Sequence, residues 1–163
     1  MKQEYVLDPI KFGVSCATVS ICVLLAAFLF LRGERAGLFF LLPALPFVYV
    51  ASVYGSRLIV SPEGLILSRP WKKEAVSLPW SSVKEMGVVG TKVFNHGNAD
   101  KTGSLYIYFS EKSLTEDERF RTALEWPPKD MLFLLYTKER MDAIRPLWTG
   151  KVQAYNTGEL KNF

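Results

Sequence analysis

Two apolar runs of twenty residues, 12–31 and 36–55, contain no charged side chain and are separated only by Arg32, Gly33, Glu34 and Arg35. At about 1.5 Å of rise per residue, twenty helical residues span roughly 30 Å, the thickness of a bilayer's hydrocarbon core. The pattern predicts two transmembrane helices. A four-residue connection permits only a sharp reversal, so the runs form a hairpin that leaves residues 1–11 and the long C-terminal portion on one side of the membrane. A signal peptide is the competing reading of the first run, but the run is too long and lacks a small-x-small cleavage pattern before Arg35. Pro43 and Pro46 each remove a backbone donor from the second run and predict a bend near its middle. Gly13 with Ala17, and Ala51 with Gly55, place small side chains four apart, the spacing at which two backbones pack closely.

From Arg57 onward the period shifts towards strands. Arg57 to Ser61 and Leu65 to Arg69 flank Pro62, Glu63 and Gly64, a tight hairpin turn. Ala75, Val76 and Leu78 predict a strand before Pro79 and Trp80, and Met86, Val88 and Val89 predict another ending at Gly90. Leu105, Ile107 and Phe109 alternate with Tyr106 and Tyr108, giving a strand with one aliphatic and aromatic face and one phenolic face. Residues 91–103 read as a long loop, Ser113 to Glu116 as a capping box opening a short helix, and residues 131–136 as a buried strand. Thr137 caps a helix on which Met141, Ile144 and Trp148 share related faces, with Pro146 breaking its last turn and the tail after Lys151 poorly packed.

Composition then refines the picture. Residues 56–163 carry sixteen Lys or Arg against thirteen Asp or Glu, a mild basicity without the concentrated stripe that nucleic acid requires. Lys2, Lys11, Arg57, Arg69, Lys72 and Lys73 flank the shared-terminus side, against Arg32 and Arg35 in the hairpin, and six against two places both termini in the cytoplasm. Cys16 and Cys22 lie on different faces of the first run and cannot pair, while the aqueous portion has no cysteine for a disulfide scaffold or thiolate metal site. With no ionisable side chain inside either span, a transporter acting alone is disfavoured.

The basic start at Arg57, the tight Pro62-Glu63-Gly64 turn, the strand leading into Leu78-Pro79-Trp80-Ser81-Ser82-Val83, and the closing strand and helix over 132–148 resemble the bacterial pleckstrin-homology-like domains attached to membrane hairpins. The resemblance covers residues 56–150. It implies a bent antiparallel barrel of about seven strands, capped at one end by the C-terminal helix with Met141, Ile144 and Trp148 as the plug. The division expected is a tail at 1–11, the hairpin at 12–55, the domain at 56–150 and a second tail at 151–163.

Candidate chemistry is sparse. The Ser61-Pro62-Glu63-Gly64 loop is too short and too acidic for the clustered cations of a phosphoinositide site. Arg69, Lys72 and Lys73, interleaved with Trp71, form the alternative site for anionic lipid headgroups, weighed against an ordinary solvated loop. Tyr106, Tyr108 and Trp126 form a candidate partner-recognition face, weighed against ordinary strand packing. His96, between Asn95 and Gly97 and near Asp100, reads as a turn residue without further metal ligands. Asp117 with Glu118, and Glu125 with Asp130, sit among Arg119, Arg121 and Lys129 as a mixed-charge surface. No nucleophile elbow or phosphate loop occurs.

The expected function is therefore non-enzymatic, without cofactor or metal. The protein presents a binding or scaffolding module at the cytoplasmic membrane surface, with the lipid bilayer, anionic headgroups or a membrane protein as partner. The alternative is an accessory subunit of a membrane transport or secretion complex, with the hairpin as its contact surface.

Overall fold

The computed structural model describes residues 2–70, 75–92 and 102–158. The chain divides into two compact units, one comprising Val6–Arg57 with Ser68–Ala75 and the other Met1–Tyr5, Leu58–Leu67 and Val76–Phe163.

The first unit is a pair of apolar helical segments. Helix α1 runs Pro9–Leu31, three residues longer at its start than the apolar run. Asp8 is the reason, since its Oδ1 accepts from the N–H groups of Ile10 at 3.1 Å and Lys11 at 3.0 Å, and Pro9 occupies a first-turn position that needs no donor. At the other end Gly33, at φ +80, lets its own N–H reach Phe30 O at 2.9 Å while Glu34 N–H reaches Leu29 O at 3.0 Å. That is the Schellman arrangement, and it turns the chain within the four predicted residues.

The second apolar segment is a 3-10 helix over Arg35–Leu41 followed by α2, Ala44–Tyr54. Proline explains the change of helix type. Pro43 has no N–H for an α-helical bond, so the chain tightens, with Leu42 N–H donating to Phe39 O and Leu45 N–H to Leu42 O, both at 3.3 Å. Pro46 then lies in the first turn of α2, where no backbone donor is missed. The helices approach through glycine, but not through every predicted one. A Cβ on Gly37 would meet Ala26 O at 2.8 Å, and one on Gly55 would meet the Phe12 ring at 2.6 Å, whereas Gly13 has nothing within 4 Å.

The second unit is mainly β. Among the described residues eight strands form two four-stranded sheets, ordered β1-β2-β3-β4 and β7-β6-β5-β8. The first sheet contains β1 (Gln3–Val6), β2 (Arg57–Val60), β3 (Gly64–Ser68) and β4 (Val76–Pro79). Ser61 and Gly64 exchange backbone hydrogen bonds of 2.9 and 3.3 Å across the predicted β2–β3 turn. The second sheet contains β5 (Glu85–Lys92), β6 (Thr102–Ser110), β7 (Leu132–Leu135) and β8 (Val152–Tyr155). Helix α3 (Glu116–Leu124) packs on β5, and α4 (Lys138–Ile144) follows β7.

Three expectations need correction. No closed barrel forms among the described residues; the strands stay in two sheets. The tail after Lys151 holds a paired strand, since Val152–Tyr155 runs parallel to β5 from Met86↔Val152 to Val89↔Tyr155, and Gln3–Val6, near the other terminus, is a strand at the edge of the first sheet. Trp148 does not share the C-terminal helix with Met141 and Ile144, although the break at Pro146 is as predicted. Pro146 falls in a 3-10 turn over Arg145–Leu147, which leaves Trp148 outside α4.

Candidate functional site

Strand β6 is central, with β5 antiparallel on one side and β7 on the other. Tyr106, Ile107, Tyr108 and Phe109 are all buried, so alternation along β6 separates two buried faces rather than an inside from an outside. Tyr106 and Tyr108 are accordingly 0% and 1% exposed, which rules them out as a surface strip. Half-buried Trp126 stacks on Tyr106 with ring centroids 4.4 Å apart, and Phe133 meets both rings edge-on. The predicted partner face is thus an aromatic packing cluster.

Tyr108 leads to the most concentrated chemistry in this unit. It lies opposite Gly87 in the β5–β6 register, and a Cβ on Gly87 would meet the phenol ring at 2.6 Å. The missing side chain lets the ring lie across β5 and aim its hydroxyl at Glu85, which accepts from it at 2.6 Å. Glu85 is only 4% exposed, and its two oxygens take four further contacts. Arg119 donates Nε to Oε1 at 3.0 Å and Nη2 to Oε2 at 2.9 Å, while Leu114 N–H and the Ser113 hydroxyl reach Oε2 at 2.9 and 3.4 Å.

Burial alone would raise the Glu85 pKa, but the hydrogen bonds from Arg119, Tyr108 and Leu114 outweigh it and hold the carboxyl below its usual range. The same pairing, led by the Glu85 hydrogen bond, pushes the Arg119 pKa further up, and burial pushes the Tyr108 phenol up. Every polar group in the cluster is therefore committed to another. The carboxylate has no free lone pair aimed at solvent for a base, and the phenol is held protonated as a donor, so the arrangement fastens α3 to β5.

Helix α3 opens on a capping box as the sequence predicts, but two residues later, at Thr115 and Glu118 rather than Ser113 and Glu116. Thr115 N–H donates to Glu118 Oε2 at 2.8 Å, and Glu118 N–H donates back to Thr115 Oγ1 at 3.3 Å. The backbone hydrogen bond from Thr115 lowers the Glu118 pKa. Glu118 is thereby committed to the cap rather than paired with Asp117 for acid–base work.

The other predicted residues are scattered. Arg69 is exposed; Trp71, Lys72 and Lys73, and likewise His96 and Asp100, lie outside the described residues. Met141 and Ile144 are buried on α4, but Trp148 lies outside that helix, 6.5 Å from Trp80 between ring centroids. The Trp80 indole N–H donates to Ser61 O at 2.8 Å, tying the predicted Pro79-Trp80 turn to the first hairpin. Glu125 and Asp130 are exposed. Among the described residues no group of three or more His, Cys, Asp or Glu is placed to hold a metal ion.

The Glu85 cluster was not anticipated. Its signal was an acidic residue opening an otherwise apolar strand, and a glycine facing a tyrosine on the next strand. The chain matches no family model, no curated protein and no solved structure.

Proposed function

We propose that the protein is a non-enzymatic binding or scaffolding module of the pleckstrin-homology-like type, anchored in a membrane by residues 12–55 with its β unit on the cytoplasmic side. The observation that carries this reading is the inverted exposure of the helical pair. Leu24, Leu31 and Phe39 are 69%, 86% and 72% exposed, while the buried positions of α1 and the 3-10 helix are Ser15, Ala26 and Gly37. A contiguous apolar surface of this kind is rare on soluble monomers and is the normal outer surface of a helix in lipid.

The ends of the pair carry groups suited to the interface. The Lys11 ammonium lies 4.7 Å from the Tyr54 ring centre at one end, and the Arg32 guanidinium 4.7 Å from that of Phe28 at the other. The six-to-two excess of basic residues supports the cytoplasmic orientation. The element order from the Arg57 hairpin to α4 supports the pleckstrin-homology-like type. The exposed Arg69, in sequence beside Lys72 and Lys73, makes anionic headgroups the favoured ligand.

The full chain, tagged at its C-terminus and expressed in a bacterial inner membrane, will resist alkaline carbonate extraction. Protease added to inverted vesicles will remove the tagged β unit. Release by carbonate overturns the anchor, and protection of the β unit in inverted vesicles overturns the orientation. In nanodiscs, adding phosphatidylglycerol to a zwitterionic lipid will shift amide resonances around Arg69. Replacing Arg69, Lys72 and Lys73 by alanine will abolish that shift, and an unchanged spectrum removes the headgroup site.

A further inference from the structure

We propose that residues 111–125 form a strap that is fastened to the second sheet by the Glu85 carboxylate and opens as a unit while β5, β6 and β7 remain paired. Of these fifteen residues only Leu114, Thr122 and Ala123 are buried, and Phe120 stays largely exposed on α3. The apolar seal between strap and sheet is therefore thin, whereas β5 from Glu85 to Gly90 is buried throughout and hydrogen-bonded on both sides.

Polar contacts make up the difference, and they converge on one group. The Leu114 N–H, the Ser113 hydroxyl and both Arg119 donors come from the strap, and their acceptor is the sheet's Glu85. A buried ion pair is a poor stabiliser compared with apolar residues of the same volume, because desolvation offsets most of its attraction. It is a selective fastener, since separating its two ends leaves the sheet's own ladders untouched.

The strap is also built to survive release. Its helix closes its own first turn through the Thr115–Glu118 box, which borrows nothing from the sheet. Immediately after it comes Trp126, stacked on Tyr106, and immediately before it Ser110, the last residue of β6. These two points hold the strap at its ends, with a second light tether where the Lys92 ammonium lies 4.5 Å from the Phe120 ring centre. Opening bares the side of β5 that α3 covers, so access to that strand is set by the Glu85 carboxylate and the strap donors it holds.

The test is native-state hydrogen exchange on the full chain in detergent or nanodiscs, and it does not depend on which way the chain lies in the membrane. In the unmodified protein, amides of α3 will exchange at least tenfold faster than those of β5 and β6. Glu85→Gln, which keeps a hydrogen-bonding group of the same shape but removes the charge, will speed exchange in 114–125 a further tenfold or more while β5, β6 and β7 change little. Equal protection of α3 and the sheet in the unmodified protein overturns the proposal even if the variant does not fold. A variant in which strap and sheet lose protection in step overturns it as well.

Discussion

In the helical pair the buried positions are Ser15, Ala26, Gly37, Ala44 and Tyr54, mostly small, while in the β unit they include Leu58, Met86, Ile107, Phe109 and Leu134. The large apolar side chains are outside in one unit and inside in the other. Water forces the second arrangement, because burying a large apolar side chain is worth about 1.5–3 kcal/mol. The first arrangement gains nothing in water and costs nothing in lipid, where close backbone approach through glycine and alanine provides the packing. The contrast is the physical content of the proposed anchor, and it can be broken at either unit.

The largest effect is expected from truncating a large buried ring. Tyr106→Ala removes a fully buried side chain that stacks on Trp126, and should destabilise the β unit by about 3–5 kcal/mol, read as a lower denaturant midpoint by tryptophan fluorescence. Leu24→Ala, on the exposed face of α1, should leave the helical pair within about 0.5 kcal/mol of the parent. Comparable losses at both positions would mean that α1 buries Leu24 against protein, and the two units would no longer differ.

The sequence made this contrast only half legible. Two charge-free runs and their short connection mark the helical pair, and local signals place the Pro62-Glu63-Gly64 hairpin, the Thr137 cap and, two residues from its true position, the capping box of α3, all of which depend on neighbours within a few residues. What lay further apart was missed. Alternation in β6 identifies a strand, but whether its tyrosine face is covered depends on the segment that carries Arg119 and Trp126, a distant partner that alternation cannot reveal. Strand β8 was read as tail because four residues gain a strand identity only from the parallel partner they join. The Asp8-Pro9 cap is a local signal that lies outside the uncharged run, and it sets the start of α1 three residues before that run.

A smaller effect should sharpen the packing of the helical pair. Gly37→Leu drives a side chain into Ala26 O and Leu29 Cβ, an overpacking expected to cost about 1–3 kcal/mol and to lower the thermal midpoint of helicity in detergent. Gly13→Leu, with open space around its position, should leave that midpoint unchanged. A loss at Gly13 as large as at Gly37 would show that the face carrying Gly13 is covered, and would return weight to the predicted Gly13–Ala17 packing face.

The β unit should respond to acid. Glu85 has a folded-state pKa below the ordinary carboxyl value of 4.5, so its stabilisation is fully present above that value and is lost as the pH falls through the lower folded one. The hydrogen-exchange protection factors of residues 114–125 should hold steady from neutral pH down to about that value and then decline. In Glu85→Gln the decline should be shallower, with the part due to other carboxylates such as Glu118 remaining. An unchanged acid profile in the variant would place the acid sensitivity elsewhere.

The smallest effect separates strap from sheet within the β unit. Thr115→Ala deletes the oxygen that accepts from Glu118 N–H and leaves the Glu118 carboxylate with only one of its two cap contacts, a loss of about 1 kcal/mol. A nine-residue helix has little intrinsic stability, so losing its cap should fray α3 from its first turn. If α3 opens apart from the sheet, exchange should rise within 115–124 while the denaturant midpoint of the sheet stays where it was. If the midpoint falls by the full value of the cap, helix and sheet unfold together, and the carboxylate at Glu85 joins two parts of one cooperative core.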